Sequence, residues 1–343
     1  MNMKRNAAQL LVGFAPRLLV IALLAAIVSL RPSPLVAMPK NLDAELLAKY
    51  YCPKVSGEAD KKRIAAALSV KTSDKNSLAC AADLRAEISL AAPSDLSARI
   101  AALESLADYI DLVRTLKRFD LVRLNWAEYE LRLDHANTVA ASLLPATRVA
   151  WPNEPAAIIL GARIDSSLAG PSDPQVTLAA IAEMKRAIAL DPNALHGEGQ
   201  WLIGRKYLDL APLFGGDTKQ ALVYLESARQ IAPEDPRVLR YLTEAYDEVG
   251  NREAALGALR ALAAVAPQST DYQLYADEWR MGEGLATRIG DAPLADKFAA
   301  LRADLMHRHP ELMLRKVAAV FGHGGDDPMT GTPQYRGELT NTH

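Results

Sequence analysis

Apolar residues recur every three or four positions along most of the chain. The clearest run is Ile100, Leu103, Leu106, Ile110, Val113 and Leu116, one apolar stripe on a helix of 3.6 residues per turn. This spacing predicts a long helix, with Ser94 as its cap. Upstream, caps and breakers predict a short helix over about 41–51, opened by Asn41 and ended by Pro53, then helices over about 58–70 and 74–90. Downstream, the pattern predicts two further helices over about 121–133 and 136–149. No stretch sustains the alternation of a half-buried strand, so the chain is expected to be all-α.

A helix ending then recurs. It reads Val149-Ala150-Trp151-Pro152, Ala189-Leu190-Asp191-Pro192, Ile231-Ala232-Pro233, Val265-Ala266-Pro267 and Arg308-His309-Pro310, with prolines 40, 41, 34 and 43 residues apart. A period of this size is the signature of stacked helix pairs, none of which can bury its apolar face alone. In the Pro233–Pro267 unit, Leu239, Leu242 and Tyr246 fall on the packing side of the first helix, and Ala255 and Leu259 on that of the second. Gly250-Asn251 forms the turn: Gly permits a left-handed backbone and Asn caps the next helix. Ala255 is small where paired helices must approach closely.

With its 34 residues and these positions filled, the unit resembles the tetratricopeptide repeat. The resemblance implies a helix-pair solenoid or bundle that binds partners by shape. The preceding unit is similar, with Ile203, Gly204 and Tyr207 on one helix and Ala221, Leu225 and Ala228 on the other. Its turn, Leu210-Ala211-Pro212-Leu213-Phe214-Gly215-Gly216-Asp217, carries seven extra residues. Pro212 stops the first helix, Gly215-Gly216 makes the bend, and Asp217 caps the second helix at its positive end. This turn, with Lys219 and Ala221 after it, resembles the T-component of tripartite ATP-independent periplasmic (TRAP) transporters. That likeness implies a periplasmic helical bundle with a pore or pocket, associated with a substrate-binding subunit.

The first residues lie outside this pattern. Lys4, Arg5 and Arg17 precede an apolar run over 18–30, and Leu35-Val36-Ala37 offers a small-residue exit. This is the layout of a secretory signal, expected to be cleaved after Ala37 for a periplasmic product. The alternative is an uncleaved inner-membrane anchor, although the run is shorter than the roughly 20 residues that span a bilayer. Residues 1–37 contain four basic residues and no acid, so their removal shifts the net charge from −2 to −6. That argues against a nucleic-acid partner, which needs clustered Lys and Arg. The expected organisation is 1–37 signal, 38–92 N-terminal helical segment, 93–320 repeat domain and 321–343 disordered tail. Export and an even count of two cysteines predict a disulfide between Cys52 and Cys80. The alternative is a pair of buried free thiols.

Candidate chemistry is sparse. No nucleophile elbow, P-loop, dinucleotide fingerprint or metalloprotease helix is present. Gly215-Gly216-Asp217 lacks the Gly-Lys-Ser/Thr that would make it a phosphate loop. His307 and His309 are two residues apart, pointing to different sides of a helix. Glu130 and Asp134 share a helix face, as solvated acids commonly do. The chain is therefore expected to be no enzyme and to need neither cofactor nor metal. Its expected partner is a protein or a small apolar ligand. Trp151, Trp201, Tyr207, Tyr241, Tyr275 and Trp279 all lie in the repeat region. They are read either as repeat core or as the lining of a concave binding groove, where a large ring with a polar tip is useful.

Overall fold

The computed structural model describes residue 52 and residues 57–69, 75–119, 126–170, 173–267 and 272–309. The signal segment, the helix expected over 41–51, Pro310 and the tail lie outside these residues. Twelve α-helices and no strand occur among the described residues. They are α1 (Glu58–Ser69), α2 (Lys75–Ala91), α3 (Leu96–Phe119), α4 (Trp126–Ala150), α5 (Pro155–Ala169) and α6 (Pro174–Leu190). The second half comprises α7 (Glu198–Asp209), α8 (Thr218–Ile231), α9 (Pro236–Glu248), α10 (Arg252–Leu262), α11 (Tyr272–Ile289) and α12 (Ala292–Arg308). None is long and apolar enough to cross a membrane.

Local chemistry sets most helix starts. The carboxylates of Asp173, Asp217, Asp235 and Asp291 and the amide of Asn251 accept first-turn N–H groups that have no partner within the helix. Proline occupies the first turn of α5, α6, α9 and α12, where no N–H is needed. Two expectations are corrected. Asp95 rather than Ser94 caps α3, its carboxylate accepting the Ala98 N–H at 3.0 Å. The helices expected over 121–133 and 136–149 form one helix, α4, with Pro145 inside it. Asp134 and His135 carry no backbone constraint that would break a helix, so the turn between the two runs does not form.

From α5 onward the helices pair in sequence, α5 with α6, α7 with α8, α9 with α10 and α11 with α12. Each new pair also packs on the one before: α7 on α6, α9 on α8, and α11 on α9 and α10. Three cores fill the stack. The first runs through α2 to α5 around Leu103, Ile110 and Leu160, the second through α5 to α10 around Met184, Leu225 and Leu242, and the third through α9 to α12 around Leu259, Leu285 and Phe298. Ala255 is fully buried at the α9–α10 contact. Cys52 and Cys80 form a disulfide, with Cα atoms 5.2 Å apart, beside Ala65 and Leu84.

The turns use glycine where no other residue fits. Gly250 has φ +76°, in the left-handed region, and a side chain there would meet no atom within 4 Å. Its requirement is purely conformational. Gly216 is needed for close approach: a Cβ on it would lie 1.8 Å from the Leu210 carbonyl oxygen. The turn around it closes on α7, the Asp217 N–H donating to the Tyr207 carbonyl at 3.2 Å and the Gly216 N–H to the Ala211 carbonyl at 3.1 Å.

Candidate interaction face

The first helices of the pairs, α5, α7 and α9, carry paired arginines, and those of α5 and α9 reach acids on neighbouring elements. Arg163 of α5 donates to Asp108 at 3.0 Å and Asp111 at 2.7 Å on α3, and to Glu198 at 2.9 Å in the first turn of α7. One planar guanidinium with five donors can serve three carboxylates at once. Burial is the largest single influence on Asp111 and opposes its ionisation, but the Arg163 and Arg205 charges and the hydrogen bonds from Arg163 and Ser167 together outweigh it and hold that carboxyl below the usual range. Asp111 also accepts from Ser167 at 3.0 Å.

A second hub sits between α9 and α11. Arg240 donates to Glu244 at 2.9 Å and to Glu278 at 2.7 Å, with all three side chains at most 11% exposed. Burial pushes both glutamates up, and Arg240 only partly offsets it. Between the two hubs lie Trp201 and Tyr241, edge to face at 5.9 Å. The Arg237 guanidinium stands 4.9 Å from the Trp201 ring centroid, and that of Arg205 stands 5.7 Å from it and 5.9 Å from Tyr241. Asp235 grips Arg237 through both oxygens at 3.1 and 2.6 Å, and Asp209 pairs with Arg205 at 3.2 Å. The result is a band of paired charges over successive first helices.

Most of the aromatics singled out by sequence lie inside. Trp201, Tyr241, Tyr275 and Trp279 are buried among core residues, and the Trp279 indole donates to the Leu262 carbonyl at 3.3 Å. Trp151 and Tyr207 are half-buried. The Trp151 ring lies 5.7 Å under the Arg99 guanidinium. Tyr207 stacks on Tyr224 at 6.2 Å, and its hydroxyl accepts from Lys185 at 2.8 Å. An open aromatic surface thus falls to Trp151 and Tyr207, not to the other four. The turn residues take the roles their types suggest: Gly215 has φ +94°, Gly216 clears the Leu210 carbonyl, and Asp217 accepts from the Lys219 and Gln220 N–H groups. Sequence reading missed the arginine hubs, because their partners lie as far as 55 residues away. Only the i, i+4 pair Arg240–Glu244 carried a local signal. Among the described residues, no three His, Cys, Asp or Glu side chains gather as metal ligands.

A stack of helix pairs in which each pair packs on its sequence neighbours defines the class of helical repeat proteins. More particularly, residues 215–277 match the family model for the tetratricopeptide repeat. Two solved structures are similar at 17% identity and a TM-score of 0.41. The thermophilic TPR protein TTC0263 of Thermus thermophilus is matched over 64% of this chain and 100% of its own. The APC/C hetero-tetramer Cut9–Hcn1 is matched over 88% of this chain and 63% of its own. No curated protein matches.

Proposed function

We propose that this chain is a protein-interaction scaffold that docks its partner on the charged face of α5, α7 and α9 and works in the periplasm after export. The observation that supports this reading is the partly exposed stretch of the band from Asp108 to Arg237, whose side chains ion pairs hold in fixed positions, while the buried Arg240 hub ties α9 to α11. A face ordered before binding loses little side-chain freedom on association, and its alternating charge discriminates among partners. The action is complementarity, with no bond made or broken. The charge of the band favours a protein segment over a small apolar ligand.

The test places a photo-crosslinking residue at Asp108 and at Asp209, both on this face, and at Val223, exposed on α8. A discrete crosslinked protein in periplasmic extract from the first two positions, and none from Val223, is the expected result. Equal labelling at all three removes the face from consideration. N-terminal sequencing of the exported protein should begin at Met38; a product beginning at Met1 in the membrane fraction would point to a retained anchor. The Ala211–Asp217 turn supports a second reading, an accessory subunit of a TRAP-type transport system. Its test is co-purification with a periplasmic substrate-binding subunit.

A further inference from the structure

The five cations of the charged band are not equally provided for. Arg163 has three carboxylates, Arg240 has two, Arg205 has Asp209 and Arg237 has Asp235. The side-chain ammonium of Lys206, half-buried on α7 next to Arg205 in sequence, has neither a hydrogen bond nor an ion pair among the described residues. The acids within its electrostatic reach are Asp111 of α3 and Asp209 of its own helix. Both are already engaged, Asp111 by Arg163 and Ser167, and Asp209 by Arg205. The other charges facing Lys206 are Arg205 of its own helix and Arg163 of α5, which repel it.

We propose that Lys206 is the receptor for a carboxylate supplied by the bound partner, the one anion that the band leaves out. The inference rests on the docking face proposed above and names the chemistry that face recognises. An ammonium removed from water without a counter-ion destabilises the free protein, whereas the same ammonium paired inside a protein-lined, partly dehydrated face binds strongly. Burial, followed by the Arg205 charge, pushes Lys206 down to about 8, so the site is mostly cationic at neutral pH. An arriving carboxylate raises that value again. Carboxylate binding is therefore full below about pH 8 and fades as the pH rises through the higher value of the complex.

Two probes separate the possible sources of the carboxylate. N-acetylglycine presents a chain-terminal carboxylate, and N-acetylaspartate amide presents a side-chain one. Each is titrated into the full chain at constant ionic strength, with chloride as the reference, and thermal melts are read at pH 7 and pH 10.5. At pH 7 saturation with at least one probe should raise the Tm by about 2–4 °C, with the larger response identifying the source. The rise should be absent at pH 10.5. Lys206→Met should melt higher than the parent without probe and show no response to it, while Lys206→Arg should still respond. A second measurement does not depend on how the variants fold: the Lys206 ε-carbon NMR signal of the parent should titrate near 8 alone and higher with probe. Equal responses in parent and Lys206→Met, or a Lys206 titration unmoved by either probe, overturn the proposal. Partner crosslinking at Asp108 and Asp209 could still succeed in that case, which would leave the docking face standing without this receptor.

Discussion

Removing Arg240 should cost more at neutral pH than in acid. In Arg240→Met the volume is roughly kept, but Glu244 and Glu278 lose their shared cation in a setting where all three side chains are at most 11% exposed. Breaking a buried ion pair from one side costs about 3–5 kcal/mol, because the remaining charge stays desolvated. At about 2–4 °C per kcal/mol for a domain of this size, the Tm should fall by about 6–20 °C at pH 7.5. The sign of the pH effect follows from the two carboxyls. Burial raises both in the folded protein, with Arg240 opposing it. Without Arg240 they rise further, and a group raised on folding stabilises most at low pH and loses that contribution as pH climbs through its folded value. The deficit of Arg240→Met should therefore shrink at pH 5 and grow toward pH 7.5. Adding Glu244→Gln and Glu278→Gln to Arg240→Met should recover most of the loss at pH 7.5. Calorimetric melts of the parent, single and triple variants at both pH values decide it. A deficit that is the same at both pH values and unrelieved in the triple variant would refute the hub as an electrostatic unit.

Other outcomes follow from packing and turns. Ala255→Leu overfills the α9–α10 contact and should cost about 1–3 kcal/mol, measured by denaturant titration. Gly250→Val should lower the Tm by several degrees although nothing lies within 4 Å of the new side chain, since the φ of +76° alone resists it. Asp217→Asn should be mild because Asn also caps, whereas Asp217→Ala should cost about 1 kcal/mol by the same titration. Reducing the Cys52–Cys80 bond should lower stability by about 3–4 kcal/mol on the loop-entropy account, and an unchanged melt with and without reductant would show that the bond contributes little.

The repeat architecture could be read from sequence because its signals are local. Proline after each helix pair, Gly250-Asn251 and Asp217 all act within four residues of themselves. The break expected near 134–135 was not found because nothing there is a true breaker, and a weak pause in apolar spacing does not end a helix. The aromatics could not be sorted by pattern, since Trp201 and Tyr207 sit on one helix six residues apart, yet one is buried and the other half-exposed. That difference is set by α9, α6 and α8 packing on either side. The charged band was out of reach for the same reason. Arg163 looks like an ordinary surface residue until α3, α5 and α7 are brought together.

The long turn between α7 and α8 shows how a stack of this kind tolerates change. Its additional residues double back onto the end of α7, and the Asp217 N–H returns to the Tyr207 carbonyl. The following helix therefore starts from a position tied to the end of the one before it. Neither helix is displaced from its neighbour: Leu225 of α8 still closes over Gly204 of α7, where a Cβ would come within 2.5 Å. Chain length at this corner is thus uncoupled from the geometry of the stack. Leu213, 88% exposed at its tip, supports nothing beneath it. Substitutions at this exposed tip need not re-space the helices so long as Gly216 and Asp217 are kept, which gives the molecule one place where new specificity can arise while the old fold is kept.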